Sequence, residues 1–277
     1  MAAGIPVYQP EKIKSDESYG YFKQLAPDAV VIIAYGQIIP QRLIEIPRLG
    51  WINLHASLLP KYRGAAPINW AIINGEEVTG VTTMLIDAGL DTGPTLLEHV
   101  TEIGKDETAP ELTARLAVEG APLIAKTLGE LARGEITPVP QDHSEASFAP
   151  PLKKQDGRIE WARSAQFTYN QIRGVQPWPG AFSTFRGKKC EIWAKPISLE
   201  DVHALPGLGE RTLAPDPMDS AVLPPGTIQV LPSRILVRCG EEEALHLEFL
   251  QMEGRKRVSA REFANGARLA PGERFDM

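Results

Sequence analysis

Asp28-Ala29-Val30-Val31-Ile32-Ile33-Ala34, ending at Tyr35-Gly36, is a continuous apolar run dominated by β-branched side chains. Neither face alternates with polar residues, which is the pattern of a strand buried on both sides in a parallel sheet. Outward from it, Trp51-Ile52-Asn53-Leu54, residues 80–86 and residues 95–100 predict three further strands. Between them, residues 67–74 predict a helix, opened by Pro67 in its first turn and stopped near Gly75. A long helix is predicted from about 109 to 134, with Leu112, Leu116, Ile124, Leu128 and Leu131 along one face. Strands alternating with helices indicate an α/β domain with a mostly parallel sheet.

Residues 134–151 hold four prolines and little periodicity, which suits a linker. Beyond them the pattern changes to short strands, at 181–185, 189–194, 226–230, 235–239 and 245–251, separated by turn signals. That spacing predicts a small β-barrel. The insert 203–225, rich in Pro and Gly, reads as a mobile loop. The expected organisation is a first domain over 1–134, a linker over 135–151 and a second domain over 152–277.

The 277 residues suffice for two cores. Net charge is -6 at pH 7, but residues 1–150 carry 11 Lys and Arg against 19 Asp and Glu, while residues 151–277 carry 18 against 16. An acidic half and a slightly basic half suit different tasks. No apolar run approaches the roughly 20 residues that span a bilayer, and the start lacks the charged and apolar regions of a signal peptide. Cys190 and Cys239, with no metal-ligand spacing around either, read as reduced structural thiols of a cytoplasmic protein.

The chemistry concentrates where strands end. Asn53 and His55 are two residues apart, so an extended chain projects both to one side. Asp91 lies in Asp87-Ala88-Gly89-Leu90-Asp91, a glycine-containing loop after the next predicted strand, able to turn back toward them. Ligands of open α/β sheets bind outside the carboxyl ends of the strands, and on this reading Gly36-Gln37, Asn53, His55 and the 87–91 loop all sit there. An amide, an imidazole and a carboxylate at one crevice suit acyl-type transfer, with the amide and imidazolium stabilising an oxyanion and the carboxylate either holding the imidazole charged or taking a proton from the incoming nucleophile. Taken singly, each is more often a satisfied loop residue. Ser57 lacks the Gly-x-Ser-x-Gly setting of a hydrolase and reads as a loop hydrogen-bonding residue. His55 and Asp91 have no third ligand at a spacing that implies a metal.

The run Asn53-Leu54-His55-Ala56-Ser57-Leu58-Leu59-Pro60-Lys61-Tyr62-Arg63-Gly64-Ala65-Ala66-Pro67-Ile68, followed by Thr79-Gly80-Val81-Thr82 and Asp87-Ala88-Gly89-Leu90-Asp91-Thr92-Gly93, resembles the methionyl-tRNA formyltransferases of the folate-dependent formyltransferase family. The resemblance continues through Pro177-Trp178-Pro179 and Gln251-Met252-Glu253-Gly254-Arg255-Lys256-Arg257-Val258. It implies a Rossmann-like, doubly wound sheet domain followed by an OB-like β-barrel that holds tRNA. It implies formyl transfer from formyl-tetrahydrofolate, a consumed co-substrate, to the amino group of methionyl initiator tRNA, with no metal. The family's Asn, His and Asp fall on Asn53, His55 and Asp91. Its folate segment falls on Ser57, Leu58, Leu59 and Pro60.

Lys153, Lys154, Arg186, Lys188, Lys189, Arg255, Lys256 and Arg257 are the basic residues expected to meet phosphates, or else simply to form a solvated face. Localisation in the cytoplasm and a monomeric state go with this reading. Family members usually begin with a strand, a Gly-containing loop, a helix and a flexible basic loop before the segment matching Gly4-Ile5-Pro6-Val7-Tyr8-Gln9-Pro10, so the sheet is expected to be partial here. Two other readings stay open: a formyltransferase acting on a sugar-nucleotide amine, and a binding protein that keeps folate or tRNA affinity without turnover.

Overall fold

Val30–Ile32 is the first strand, β1, and it is shorter than the apolar run that contains it. Ala34 takes a positive φ of 50° and turns the chain out of the sheet. The computed structural model describes residues 4–197, 223–241 and 243–276, and it divides into two units. The first draws on the chain up to Ile68, Glu77–Ile103 and Leu112–Pro151, and the second on Asn69–Glu76, Gly104–Glu111 and the chain from Leu152 onward. The expected insert 203–225 falls, except for its last three residues, outside the described residues.

In the first unit the strands after β1 are β2 (Trp51–His55), β3 (Arg63–Gly64), β4 (Val78–Leu85), β5 (Thr95–Glu102) and β6 (Phe148–Ala149). The main sheet has the order β1-β2-β4-β5. β1 and β2 are parallel, with Ile32 opposite Asn53. Beyond β2 the pairing is antiparallel, with His55 opposite Thr82 and Ile52 opposite Leu85. β4 and β5 form a hairpin, and a hairpin connection permits only the antiparallel arrangement. β3 and β6 pair separately, in parallel.

The helices before Leu152 are α1 (Asp16–Leu25), α2 (Gln41–Ile44), α3 (Pro67–Ile73) and α4 (Ala109–Arg133), of which α3 from Asn69 onward and the first three residues of α4 count with the second unit. Ser15 caps α1 by accepting from the Ser18 N–H, and Asp16 and Glu17 occupy its positive end. Ile13, Ile39, Leu43 and Trp51 form a buried cluster, in which the Trp51 indole N–H donates to the Leu43 carbonyl at 2.7 Å. Full burial of an aliphatic side chain such as Leu43 contributes about 1.5–3 kcal/mol. α4 crosses the sheet face that carries Leu54 and Thr83. A Cβ on Gly120 would stand 2.7 Å from the Leu54 Cδ2, and the buried hydroxyls of Thr83 and Thr127 lie 3.0 Å apart. Side chains alternate along a strand, so α4 leaves the opposite face of β2, with Asn53 and His55, uncovered by itself.

The second unit is built on β7 (Phe182–Phe185), β8 (Lys188–Pro196), β9 (Ile228–Val230), β10 (Ile235–Arg238), β11 (Ala244–Met252) and β12 (Val258–Ser259). All pair antiparallel in the order β7-β8-β11-β10-β9, with β12 on β11. Residues 273–276 bond to both outer strands. The Ile228 N–H donates to the Glu273 carbonyl at 2.8 Å, and the Asp276 N–H to the Thr184 carbonyl at 2.8 Å. The sheet is thereby closed through a third backbone segment, and its open edges are removed. Phe275 is fully buried at this closure, stacked on Trp161 with ring centroids 5.3 Å apart.

α5 (Ala165–Gly174), capped by Ser164, and α6 (Ala260–Ala267), opened by a Ser259–Glu262 capping box, complete the unit. Arg173 is buried and donates to the carbonyls of Gly104 and Glu107, while the Tyr169 hydroxyl donates to Asp106 at 2.5 Å. These bonds explain why Gly104–Glu111 belongs to this unit. Cys190 and Cys239 are free and buried in the core, and burial pushes both thiols up to about 12. Among the described residues no helix is long and apolar enough to cross a membrane.

Candidate functional site

Asn53 and His55 project from the face of β2 opposite α4, and Asp91 meets them there. The Asn53 Nδ2 lies 3.4 Å from the Asp91 Oδ1, and the His55 Nδ1 lies 3.8 Å from the Asp91 Oδ2. His55 is 5% exposed and Asp91 14%. The route by which Asp91 arrives differs from the one expected. β4 runs antiparallel to β2, so its carboxyl end lies at the Trp51 end of β2, where the Ile86 N–H donates to the Trp51 carbonyl. The loop then folds back along β2 to reach Asn53 and His55, so the three residues do not share one carboxyl edge.

That loop is stiffened from within. The Asp87 Oδ1 accepts from the Gly89 N–H at 2.9 Å and from the Thr92 hydroxyl at 2.7 Å. Gly93 sits where a Cβ would fall 1.9 Å from the Leu85 carbonyl oxygen, so only glycine permits the return. Asp91 itself holds a positive φ of 51°. Asp tolerates that region better than most residues because its short side chain bonds locally. Here the Gly64 N–H donates to the Asp91 Oδ2 at 2.9 Å.

The His55 Nε2 lies 2.9 Å from the Tyr62 carbonyl, which only accepts, so that nitrogen carries a proton. The ring is thus fixed in plane, and its Nδ1 edge faces Asp91 and Asn53. At 3.8 Å from the carboxylate, a proton on Nδ1 is not consumed by a direct hydrogen bond.

The segment 57–60 lies against β4. The Ser57 hydroxyl, 1% exposed, donates to the Lys61 carbonyl at 2.6 Å, and the Thr82 hydroxyl donates to the Ser57 carbonyl at 2.7 Å. Leu59 is buried, its N–H donating to the Thr82 Oγ1 at 3.2 Å, whereas Leu58 and Pro60 are partly exposed. The Leu59–Pro60 peptide is cis. Gly80 makes the close approach possible, because a Cβ there would stand 2.6 Å from Leu58 and 2.1 Å from the His99 carbonyl.

Three residues not anticipated from the sequence complete the surroundings: Arg63, Gln141 and Ser147. Arg63 is 3% exposed and donates through Nε (3.1 Å) and Nη2 (2.7 Å) to the Gln141 Oε1, with the His143 Nδ1 at 3.2 Å. Gln141 in turn donates from Nε2 to the carbonyls of Asp91 (2.9 Å) and Gly93 (2.7 Å). Ser147 accepts from the Tyr62 N–H at 2.9 Å. Gly64 has φ of 121°, and a Cβ there would lie 2.7 Å from the Ala149 carbonyl, so glycine admits the β3–β6 pairing. Nothing in the proline-rich stretch marks Gln141, since its partners lie far away in sequence.

In the second unit, Arg186 is paired with Glu273 and Lys189 with Glu191. Arg255, Lys256 and Arg257 are exposed between β11 and β12, and the Arg257 guanidinium lies over the rings of Trp193 (5.1 Å) and Phe249 (5.2 Å). Lys188 is exposed, as are Lys153 and Lys154. Among the described residues no three His, Cys, Asp or Glu gather as a metal site.

Residues 2–128 match the Formyl transferase family and residues 151–268 match the family Formyl transferase, C-terminal domain. The chain is 50% identical over 276 residues to methionyl-tRNA formyltransferase of Solibacter usitatus, covering 99% of this chain and 82% of that one. With the enzyme of the same name from Koribacter versatilis it shares 48% identity over 269 residues, covering 97% and 80%. Among solved structures, HypX from Aquifex aeolicus in complex with tetrahydrofolic acid superposes with a TM-score of 0.61 at 19% identity, over 91% of this chain and 41% of that one. WlaRD, a sugar 3N-formyl transferase, superposes with a TM-score of 0.57 at 17% identity, over 84% and 77%. At such identities the structural likenesses establish the fold.

Proposed function

This chain belongs to the methionyl-tRNA formyltransferase family, and from that membership we propose that it transfers a formyl group from formyl-tetrahydrofolate to the amino group of methionyl initiator tRNA. The observation that carries the assignment of chemistry to residues is the meeting of Asn53, His55 and Asp91 on the face of β2 opposite α4.

The folate supplies the one-carbon group at the oxidation level of a formyl. Ile33, Tyr35 and Ile38, in the chain that follows β1, are exposed, as is Leu90, the residue before Asp91, and these are the apolar residues offered for its flat ring. Apolar surface next to backbone donors and acceptors is the usual setting for such a ring. Of the segment 57–60, Leu58 and Pro60 offer surface, while Ser57 and Leu59 serve the loop itself.

When the neutral amine attacks the formyl carbon, negative charge develops on the carbonyl oxygen. The Asn53 amide and the His55 Nδ1–H are the donors for that oxyanion, and they are held in place before it forms. Asp91, its Oδ2 3.8 Å from the His55 Nδ1, accepts the proton that the amine loses as the new C–N bond forms; collapse of the tetrahedral intermediate then breaks the bond from the formyl carbon to the folate nitrogen, which takes up a proton and leaves as tetrahydrofolate. Arg255, Lys256 and Arg257 contact tRNA phosphates, which orient the acceptor without reading sequence. In this reading the enzyme acts in the cytoplasm as a monomer, and light scattering checks the latter.

Formylation of methionyl initiator tRNA, with formyl-tetrahydrofolate as donor, tests the proposal. Wild-type turnover is expected, with kcat lower by on the order of 100- to 1,000-fold in Asn53→Ala and His55→Ala. Tight tRNA binding without wild-type turnover overturns it in favour of a binding protein. Turnover only with a nucleotide-linked amino sugar overturns the assignment of the acceptor.

A further inference from the structure

We infer that Gln141, held by the buried Arg63, is a positioning residue that sets where the Asp91 carboxylate stands. The inference rests on the reading of Asp91 given above. Gln141 is 8% exposed and uses both ends of its amide: Oε1 accepts twice from Arg63, and Nε2 donates to two carbonyls of one loop, those of Asp91 and Gly93. These two carbonyls belong to Asp91, a non-glycine residue whose φ of 51° departs from ordinary backbone, and to the residue two further on. Such a conformation persists when its surroundings over-determine it. Gln141 provides that constraint from behind, while Gly64 holds the carboxylate from in front.

Arg63 has the complementary task. It follows directly on Tyr62, whose carbonyl fixes the His55 ring, and precedes Gly64, whose N–H holds Asp91. A long, planar side chain at position 63 anchored on Gln141 therefore ties the segment that orients His55 to the loop that carries Asp91. Glutamine fits this position because a side-chain amide accepts and donates at once, which neither a carboxylate nor an ammonium does. The buried polar chain is connected end to end, from the guanidinium through the amide to the two carbonyls, as a rigid buried network requires.

The test uses the full chain and two variants. In Gln141→Glu, Arg63 keeps an acceptor, while the Asp91 and Gly93 carbonyls face a carboxylate in place of an N–H. In Arg63→Met/Gln141→Met the whole link is replaced by apolar atoms, leaving no buried cation without a partner. Amide hydrogen exchange is followed residue by residue, and steady-state formylation is followed against pH. The expected result is exchange about tenfold or more faster at residues 87–93 and at Gly64, with β2, β4 and β5 unchanged. With it go a kcat lower by on the order of 100-fold at unaltered KM for charged tRNA and a displaced pH profile.

Unchanged exchange in the 87–93 loop of a folded variant overturns the inference. So does a loss of protection spread evenly through the sheet, or an unchanged kcat and pH profile where the loop has loosened. If the loop loosens selectively but the wild type does not formylate tRNA at all, the function proposed above fails while the positioning role of Gln141 stands.

Discussion

At the scale of single residues, the site depends on glycines as much as on its polar groups. Gly64 combines a positive φ with a close approach to the Ala149 carbonyl, and its N–H holds Asp91. Gly64→Ala is therefore expected to cost about 1–3 kcal/mol in backbone strain alone, and to lower formylation more than stability because the carboxylate shifts. Urea unfolding beside kcat separates the two effects. Cys190 and Cys239 make a contrasting prediction. Burial raises both thiols to about 12, so at pH 8 the thiolate fraction of each is small and neither is reached by solvent. A thiol reagent is expected to leave the native protein unlabelled at pH 8 and to label both residues in denaturant, read by mass spectrometry.

Much of the residue-level site is legible from the chain, because Asn53 and His55 are two apart and an extended segment leaves them no choice but to share a face. Arg63 and Gln141 were not legible. Their partnership spans 78 residues and is made inside a stretch whose only visible feature is proline.

At the scale of elements, α4 is seated where Gly120 meets Leu54. Gly120→Leu forces the helix off β2 and is expected to destabilise by about 1–3 kcal/mol. Val118→Ala, on the exposed side of the same helix at 74% exposure, is expected to change stability by less than about 0.5 kcal/mol. Chemical denaturation of the two variants checks the pair. The longer strands of both units were predictable because their apolar character is strong and local, whereas the two-residue strands β3, β6 and β12 carry no such pattern and were not. The direction of β4 was not, since a run such as 80–86 looks the same in a parallel and an antiparallel neighbour. The helices α1, α2 and α6 lie outside the elements expected from the sequence, although Ser15 before Asp16-Glu17 and the Ser259–Glu262 pair are recognisable starting signals. At the barrel closure, Phe275→Ala empties a fully buried aromatic site and is expected to cost about 3–5 kcal/mol. A lower melting temperature with faster exchange in β7 and β9 is the observable.

At the scale of the whole chain, the partition of charge and of chemistry runs along the sequence, but the partition of the fold does not. Asn69–Glu76 and Gly104–Glu111 lie within the stretch that carries the catalytic candidates, yet they are packed with the residues from Leu152 onward. A chain cut to 152–277 lacks Asp106 and the carbonyls of Gly104 and Glu107, and so leaves Tyr169 and Arg173 without partners they have in the intact protein. Such a fragment is expected to unfold at a lower temperature than the same unit does in the full chain, by calorimetry or circular dichroism.

The same interleaving gives synthesis on the ribosome a definite order. Gly104–Glu111 leaves the exit tunnel well before α5, so Asp106 and its neighbouring carbonyls are hydrated and Ile73 is uncovered while translation continues. Domains that fold as they emerge normally close their cores in order of appearance. Here two segments of the early chain are held in reserve for the late one, and the nascent chain carries apolar surface of its own until the barrel strands arrive.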